Sequence, residues 1–228
     1  MKNLVVLTGA GMSAESGVST FRDAGGLWEG HDSMEVASPQ GFAANPSLVL
    51  DFYNQRRRQL FEVEPNEAHR ALVSLEQRYQ VQIITQNVDD LHERAGSSSI
   101  LHLHGELLKA RSVLNEHSVF PWKDDIHLGD LSTDGSQIRP HIVWFGEAVP
   151  MLAPAMTITE KADILVIIGT SMQVYPAASL INYIQPGTPI YFIDPNPAVN
   201  SEDFNNLVVI PEKATVGMQQ LMSHYLHG

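Results

Sequence analysis

Three short stretches of this chain hold side chains whose types and spacing suit chemistry on a nucleotide. Gly9-Ala10-Gly11-Met12-Ser13-Ala14-Glu15 follows the apolar run at residues 4–7 and opens as G-x-G-x-x-A. Glycines at a strand-to-helix turn permit a tight bend and let a pyrophosphate approach backbone N–H groups. An ordinary turn can carry the same letters. Gln86-Asn87-Val88-Asp89 follows a second run at 81–85. An amide and a carboxylate there point into the crevice at the carboxyl end of a strand, and Asp89 also suits a helix N-cap. In Leu101-His102-Leu103-His104-Gly105, His104 is a candidate general base, because a neutral imidazole accepts a proton near pH 7. An extended chain puts His102 on the same face. A His-x-His pair can hold a metal, but no third ligand follows at metal-site spacing, and no metal is expected.

Those residues need a scaffold. Apolar runs at 4–7, 81–85, 164–168 and 189–193, with a weaker one at 207–210, read as buried parallel strands. Helical patterns at 67–78, 151–161 and 215–225 alternate with them, which describes an open α/β sheet. Gly169, Thr170 and Ser171 follow one strand and Asp194 another, again at carboxyl ends. Two stretches break the rhythm: residues 30–65 show helical periodicity but no convincing strand, and 109–138 is polar with little periodicity. Long inserts of this kind form lids or small subdomains. A dehydrogenase would carry an acidic second strand about 20 residues after the glycines. Residues 21–28 are Gly-rich instead and read as a mobile loop.

Composition narrows the field. At 228 residues, 43% apolar and 18% charged, the chain is a folded globule rather than a disordered segment. It has no cysteine, which excludes disulfides, a thiolate nucleophile and a cysteine-built zinc site. Fourteen basic against 26 acidic residues leave −12, so no nucleic-acid partner is expected. No stretch reads as a signal peptide or membrane span, so no membrane partner is expected and the cytoplasm is the expected compartment.

Five blocks in order, GAGMSAESGVSTFR (9–22), TQNVDDLHERAG (85–96), LHLHGEL (101–107), RPHIVWFGE (139–147) and GTSMQVYPAASL (169–180), closely resemble the signature blocks of the sirtuin family. The resemblance implies an NAD-dependent protein-lysine deacylase acting on acylated lysine side chains of proteins. It implies a large Rossmann-like domain (1–30, 66–108 and 139–228) and a small insert domain (31–65 and 109–138). His104 and Asn87 are then the catalytic residues. NAD contacts are implied at Gly9, Ala10, Gly11, Ala14, Glu15, Thr20, Phe21, Arg22, Trp28, Gln86, Asn87, Asp89, His104, Gly169, Thr170, Ser171, Asp194, Asn196 and Ala214. Asp194 stands where the family usually has asparagine; a carboxylate can still accept from ribose hydroxyls. Substrate contacts are implied at Ala37, Tyr53, Arg56, Val143, Phe145, Gly146, Glu147 and Val174, with strip 144–147 pairing its backbone with a peptide. Val143 and Phe145 would line the acyl-lysine tunnel, or simply pack in the core.

Tyr53 and Arg56 lie three apart in a helix-like stretch at 45–61 and so share a face. The Tyr-x-x-Arg pair resembles the acidic-acyl signature of class III sirtuins, with Ala37 as the small residue that widens the pocket. It implies succinyl-, malonyl- or glutaryl-lysine over acetyl-lysine, since arginine grips a carboxylate with two parallel bonds. The run Arg56-Arg57-Arg58 also suits a solvated basic helix face. Most sirtuins place four zinc-binding cysteines in the interval that is 109–138 here. Ser112 and Asn115 stand near the first pair. A zinc-free module packed through Val113, Leu114, Val119, Phe120 and Trp122, a replacement site from His117, His127, Asp124 and Asp125, and a loose module are three alternatives. A protein ADP-ribosyltransferase and a noncatalytic NAD or acyl-lysine binding protein remain as other functions; retention of His104, Asn87 and Asp89 argues against both.

Overall fold

A computed structural model describes residues 1–18, 27–28, 30–197 and 205–226. In chain order the elements are β1 (Lys2–Thr8), α1 (Gly11–Ala14), β2 (Leu27–Trp28), β3 (His31–Asp32), α2 (Ser33–Val36), α3 (Pro39–Ala44), α4 (Pro46–Leu60), α5 (Glu67–Leu75), β4 (Tyr79–Thr85) and α6 (Leu91–Ala95). Then come β5 (Ile100–His102), β6 (Gly105–Ser112), β7 (Val119–Pro121), β8 (Ile138–Ile142), α7 (Leu152–Thr159), β9 (Ile164–Ile168), a 3₁₀ turn (Ala177–Tyr183), β10 (Ile190–Ile193), β11 (Leu207–Ile210) and α8 (Ala214–His224).

Six strands form one wholly parallel sheet in the order β11-β10-β9-β1-β4-β5. Alternation along β1 explains its continuous apolar run: Leu4 and Val6 face a core with Leu72, Leu75, Met218 and Leu221 from α5 and α8. Val5 and Leu7 face a second core with Ala155 of α7 and Leu180 and Ile181 of the 3₁₀ turn. Both faces are covered, so no polar residue interrupts the run. The strand order reverses between β1 and β9, and the loops after β4, β1, β9 and β10 crowd that switch point at their carboxyl ends.

The polar 109–138 stretch shows little periodicity yet holds strands. It contributes to a three-stranded antiparallel sheet, β7-β6-β8, with polar residues both exposed and buried, Arg111 and Ser112 among the buried ones. The 30–65 stretch folds as three helices, preceded by a two-residue pairing of β2 with β3 that no periodicity could have shown. Asn45 caps α4 by accepting from Leu48 N at 3.1 Å, and Pro46 sits where its missing N–H costs nothing.

Candidate active site

A cavity of about 670 Å³ lies over the switch point. Its walls contain every described residue expected at the site: Gly9, Ala10, Gly11, Ala14, Glu15, Gln86, Asn87, Asp89, His104, Gly169, Thr170, Ser171, Asp194, Asn196 and Ala214 on the large-sheet side. Ala37, Tyr53, Arg56, Val143, Phe145, Gly146, Glu147 and Val174 complete it. Thr20, Phe21, Arg22 and the side chain of Trp28 lie outside the described residues.

The glycines also let two backbones meet. Gly9 N donates to Ile168 O at 3.0 Å, Gly11 N to Gly169 O at 2.8 Å, Met12 N to Gly9 O and Ser13 N to Ala10 O. Those four N–H groups are therefore bonded within the protein. What requires glycine is contact between two backbones. A Cβ on Gly11 would stand 2.6 Å from Gly169 Cα, and one on Gly169, at φ +63°, would stand 2.4 Å from Gly11 C. The loops after β1 and β9 thus meet without intervening side chains and leave a smooth floor.

Beyond them a buried serine, unnoticed in the sequence, joins the polar groups. Ser13 Oγ donates to Asp89 Oδ2 at 2.9 Å and accepts from Asn87 Nδ2 at 3.1 Å. Asp89 Oδ1 accepts from Leu91 N at 3.2 Å, so the carboxylate lines the cavity and holds the first N–H of α6, whose N-cap is Asp90 rather than the expected Asp89. Burial raises its pKa, and the Ser13 and Leu91 bonds oppose the rise. Only burial of a hydroxyl distinguishes Ser13, and no sequence pattern reports that. Gln86 Nε2 donates to Thr170 Oγ1 at 3.1 Å, tying two expected contacts together. Glu15 points its carboxylate at α8, accepting from Thr215 N and Thr215 Oγ1 at 2.9 and 2.8 Å.

His104 Nδ1 lies 3.1 Å from Gln86 O. A carbonyl only accepts, so Nδ1 carries the proton and Nε2 holds the lone pair. Burial lowers the His104 pKa and keeps the ring neutral. His102 makes separate contacts: its Nδ1 faces Asn87 O at 3.1 Å and its Nε2 faces Glu93 Oε1 at 2.8 Å.

On the other wall, the three consecutive arginines go three ways, which overturns the reading as a solvated face. Arg56 lines the cavity, with its guanidinium carbon 3.8 Å from the Phe52 ring centre. Arg57 is fully buried and donates to Leu107 O and Asn54 Oδ1 at 3.2 and 2.8 Å; burial lowers its pKa to about 10. Arg58 pairs with Asp125 on the surface. Tyr53 is buried, and its hydroxyl accepts from Trp144 Nε1 at 3.0 Å. Glu147 has its charge neutralised: Arg139 grips it at 2.7 and 2.9 Å and Arg111 at 3.1 Å, while Arg139 stacks on Trp144. That clamp shapes the strip 144–147. Phe145 N donates to Ala37 O at 2.9 Å, yet Phe145 stays 40% exposed, so it is a wall residue rather than core.

In the small sheet, Val113 and Leu114 are exposed and Val119 borders solvent, so those three do not form the expected packing; Phe120 and Trp122 do, against Leu50, Ala110, Ile126 and Ile138. Near the position of the absent cysteines stands a closed hydrogen-bond cluster. Ser112 Oγ donates to Asp134 Oδ2 at 2.6 Å and accepts from Leu114 N and Asn115 N, and Ser136 Oγ donates to Asp134 Oδ1 at 2.6 Å.

A parallel sheet with a cavity at its switch point, lined in part by the small antiparallel module, defines a doubly wound α/β protein with a ligand-sized crevice. The family model described as "Sir2 family" matches residues 9–176, and the chain belongs to that family. It is 64% identical over 222 residues to a Helicobacter pylori protein named "NAD-dependent protein deacylase", covering 97% of this chain and 96% of that one. A Bacteroides thetaiotaomicron protein of the same name is 54% identical, with 97% of each chain covered. Among solved structures, a Sir2 homolog–NAD complex superposes with a TM-score of 0.86 at 41% identity, covering 98% of this chain and 89% of that one. A Sir2 bound to acetylated peptide gives 0.80 at 27%, covering 96% and 92%.

Proposed function

We propose that this chain is an NAD-dependent protein-lysine deacylase that favours acidic acyl groups and yields nicotinamide, free lysine and O-acyl-ADP-ribose. The observation that supports it best is the convergence of His104, the Ser13-linked Asn87 and Asp89, and the Gly9–Gly11/Gly169 floor on one cavity. The cavity's 670 Å³ lies within the usual range for small-molecule sites. NAD fits the residues present: a side-chain-free floor suits close approach of a backbone-sized diphosphate, and Asn87 and Asp89 suit a carboxamide.

Bound NAD supplies a ribose carbon that releases nicotinamide and takes the acyl oxygen. The protein's part is positional and acid–base. Asn87 and Asp89 orient the carboxamide end. Asp194 and Asn196 take the adenosine end, with Asp194 Oδ1 already accepting from Asn196 N at 2.8 Å. His104 Nε2, its tautomer fixed by Gln86 O, accepts a hydroxyl proton. Phe145 and Val143 exclude water around the lysine stem. Tyr53 and Arg56, one helical turn apart on α4, line the same wall as Ala37. A terminal carboxylate there meets a guanidinium, with the Glu147 charge already neutralised by Arg139.

Mass spectrometry of peptides carrying acetyl-, succinyl- or glutaryl-lysine, incubated with NAD, tests the proposal. Loss of succinyl, abolished in His104→Ala and shifted toward acetyl in Arg56→Met, is the expected result. Turnover of acetyl-lysine alone overturns the acidic-acyl preference. No turnover of any peptide, with NAD still bound, overturns deacylation itself.

A further inference from the structure

The parallel ladder between β4 and β5 ends at Thr85 and His102, and the chain beyond it is held by side chains. Leu103 N donates to Thr85 O at 2.9 Å. The next two carbonyls, Gln86 O and Asn87 O, are taken by the imidazoles of His104 and His102, each through Nδ1 at 3.1 Å. His102 is further constrained, because its Nε2 lies 2.8 Å from Glu93 Oε1 on α6. Both partners of this ring only accept. Two acceptors require two N–H donors, so the ring carries a full positive charge with its side chain 8% exposed.

We infer that His102, held as an imidazolium between Asn87 O and Glu93, is a positioning residue that fixes the Asn87–Asp89 segment. The inference rests on the proposed role of Asn87 and Asp89 at the carboxamide end of NAD. Its electrostatic surroundings are mixed. Glu93 on α6 and Glu106 on β6 favour the charge, although Lys109 pairs with Glu106. Asp89, on the loop itself, is favoured in return, and burial together with this cation disfavours charge on His92 of α6. Burial is the largest single influence on His102 and opposes its protonation, but the bond to Glu93, the Glu93 charge, the Asn87 O bond and Glu106 together outweigh it and raise the pKa above an ordinary histidine's. His104, two residues on, is pushed the opposite way. Neighbouring histidines in one motif thus hold opposite charge states, the neutral one as base and the charged one as strut.

The test uses the full chain with isotope-labelled histidine. The His102 ring resonances should report imidazolium at neutral pH; a neutral ring overturns the inference. In His102→Gln, KM for NAD should rise about tenfold with KM for the acyl-peptide unchanged. The wild-type fall in kcat/KM for NAD at alkaline pH should disappear in that variant and move to lower pH in Glu93→Gln. Equal losses for both substrates with an unaltered pH profile would mean a merely structural histidine and overturn the inference. If the wild type deacylates no peptide, the deacylase reading fails. The ring resonances, with NAD affinity by calorimetry in wild type and His102→Gln, still decide this one.

Discussion

At Ser13 one hydroxyl serves two partners, donating to Asp89 and accepting from Asn87. Ser13→Ala leaves an amide and a carboxylate short of a bond in a buried place, where each such loss costs about 1–3 kcal/mol. Asp89, already raised by burial, loses the strongest bond opposing that rise. The expected outcome is a fall of about tenfold to a hundredfold in kcat/KM for NAD in steady-state assays, with KM for the peptide little changed. Gly169→Ala acts through backbone instead. Its methyl would meet Gly11 C at 2.4 Å and its φ of +63° disfavours a side chain. A thermal melt should fall by the equivalent of roughly 2–4 kcal/mol, because the opposing atoms are backbone and cannot step aside.

At the scale of elements, legibility followed burial. Residues 164–168 were read with the observed bounds, because a strand covered on both faces has no reason to contain a polar residue, and 207–210, a half-buried edge strand, from its unbroken apolar run. Strand β5 has three residues, and β6 and β8 bury the charged side chains of Arg111 and Arg139, so hydrophobic periodicity could not reveal them. The cavity-lining motifs were legible because they sit at strand ends. The Arg111–Glu147–Arg139 clamp and the buried Arg57 were not, since both depend on contacts between distant segments. The small sheet is held by two such contacts. Asn54 Nδ2 donates to Ile126 O at 2.9 Å and Asn54 Oδ1 accepts from Ile126 N at 2.8 Å, fastening the insert to α4. The Ser112–Asp134–Ser136 cluster closes the far end. A strong chelator should therefore leave the urea-unfolding curve unchanged, whereas Ser112→Ala should cost about 1–3 kcal/mol by stranding the Leu114 and Asn115 N–H groups.

For the molecule as a whole, the buried histidines set how stability varies with pH. His69 of α5 and His92 of α6 are both buried, with ring centres 4.9 Å apart, and they join the helices on either side of β4. His69 Nδ1 accepts from Asn66 N in the cap of α5, and His92 Nε2 lies 3.1 Å from Thr8 Oγ1 at the end of β1. Burial lowers the His69 pKa to about 4 and holds His92 well below the ordinary value too. Between an unfolded value near 6.5 and the folded value, the unfolded chain binds more protons, so stability falls as pH falls. From pH 7 to pH 5 His69 alone removes about 2 kcal/mol, and His92 acts in the same direction. His102 has the opposite sign. Its raised folded pKa contributes stability that is fully present below the unfolded value and is lost as pH rises through the folded one. Urea unfolding across this range should show an acid limb that flattens in His69→Gln. Glutamine at this position of a capping box still accepts from the Asn66 N–H but cannot titrate. An unchanged acid limb in that variant would mean that the stability loss arises from carboxylates instead, and that His69 takes up a proton as readily in the folded chain as in the unfolded one.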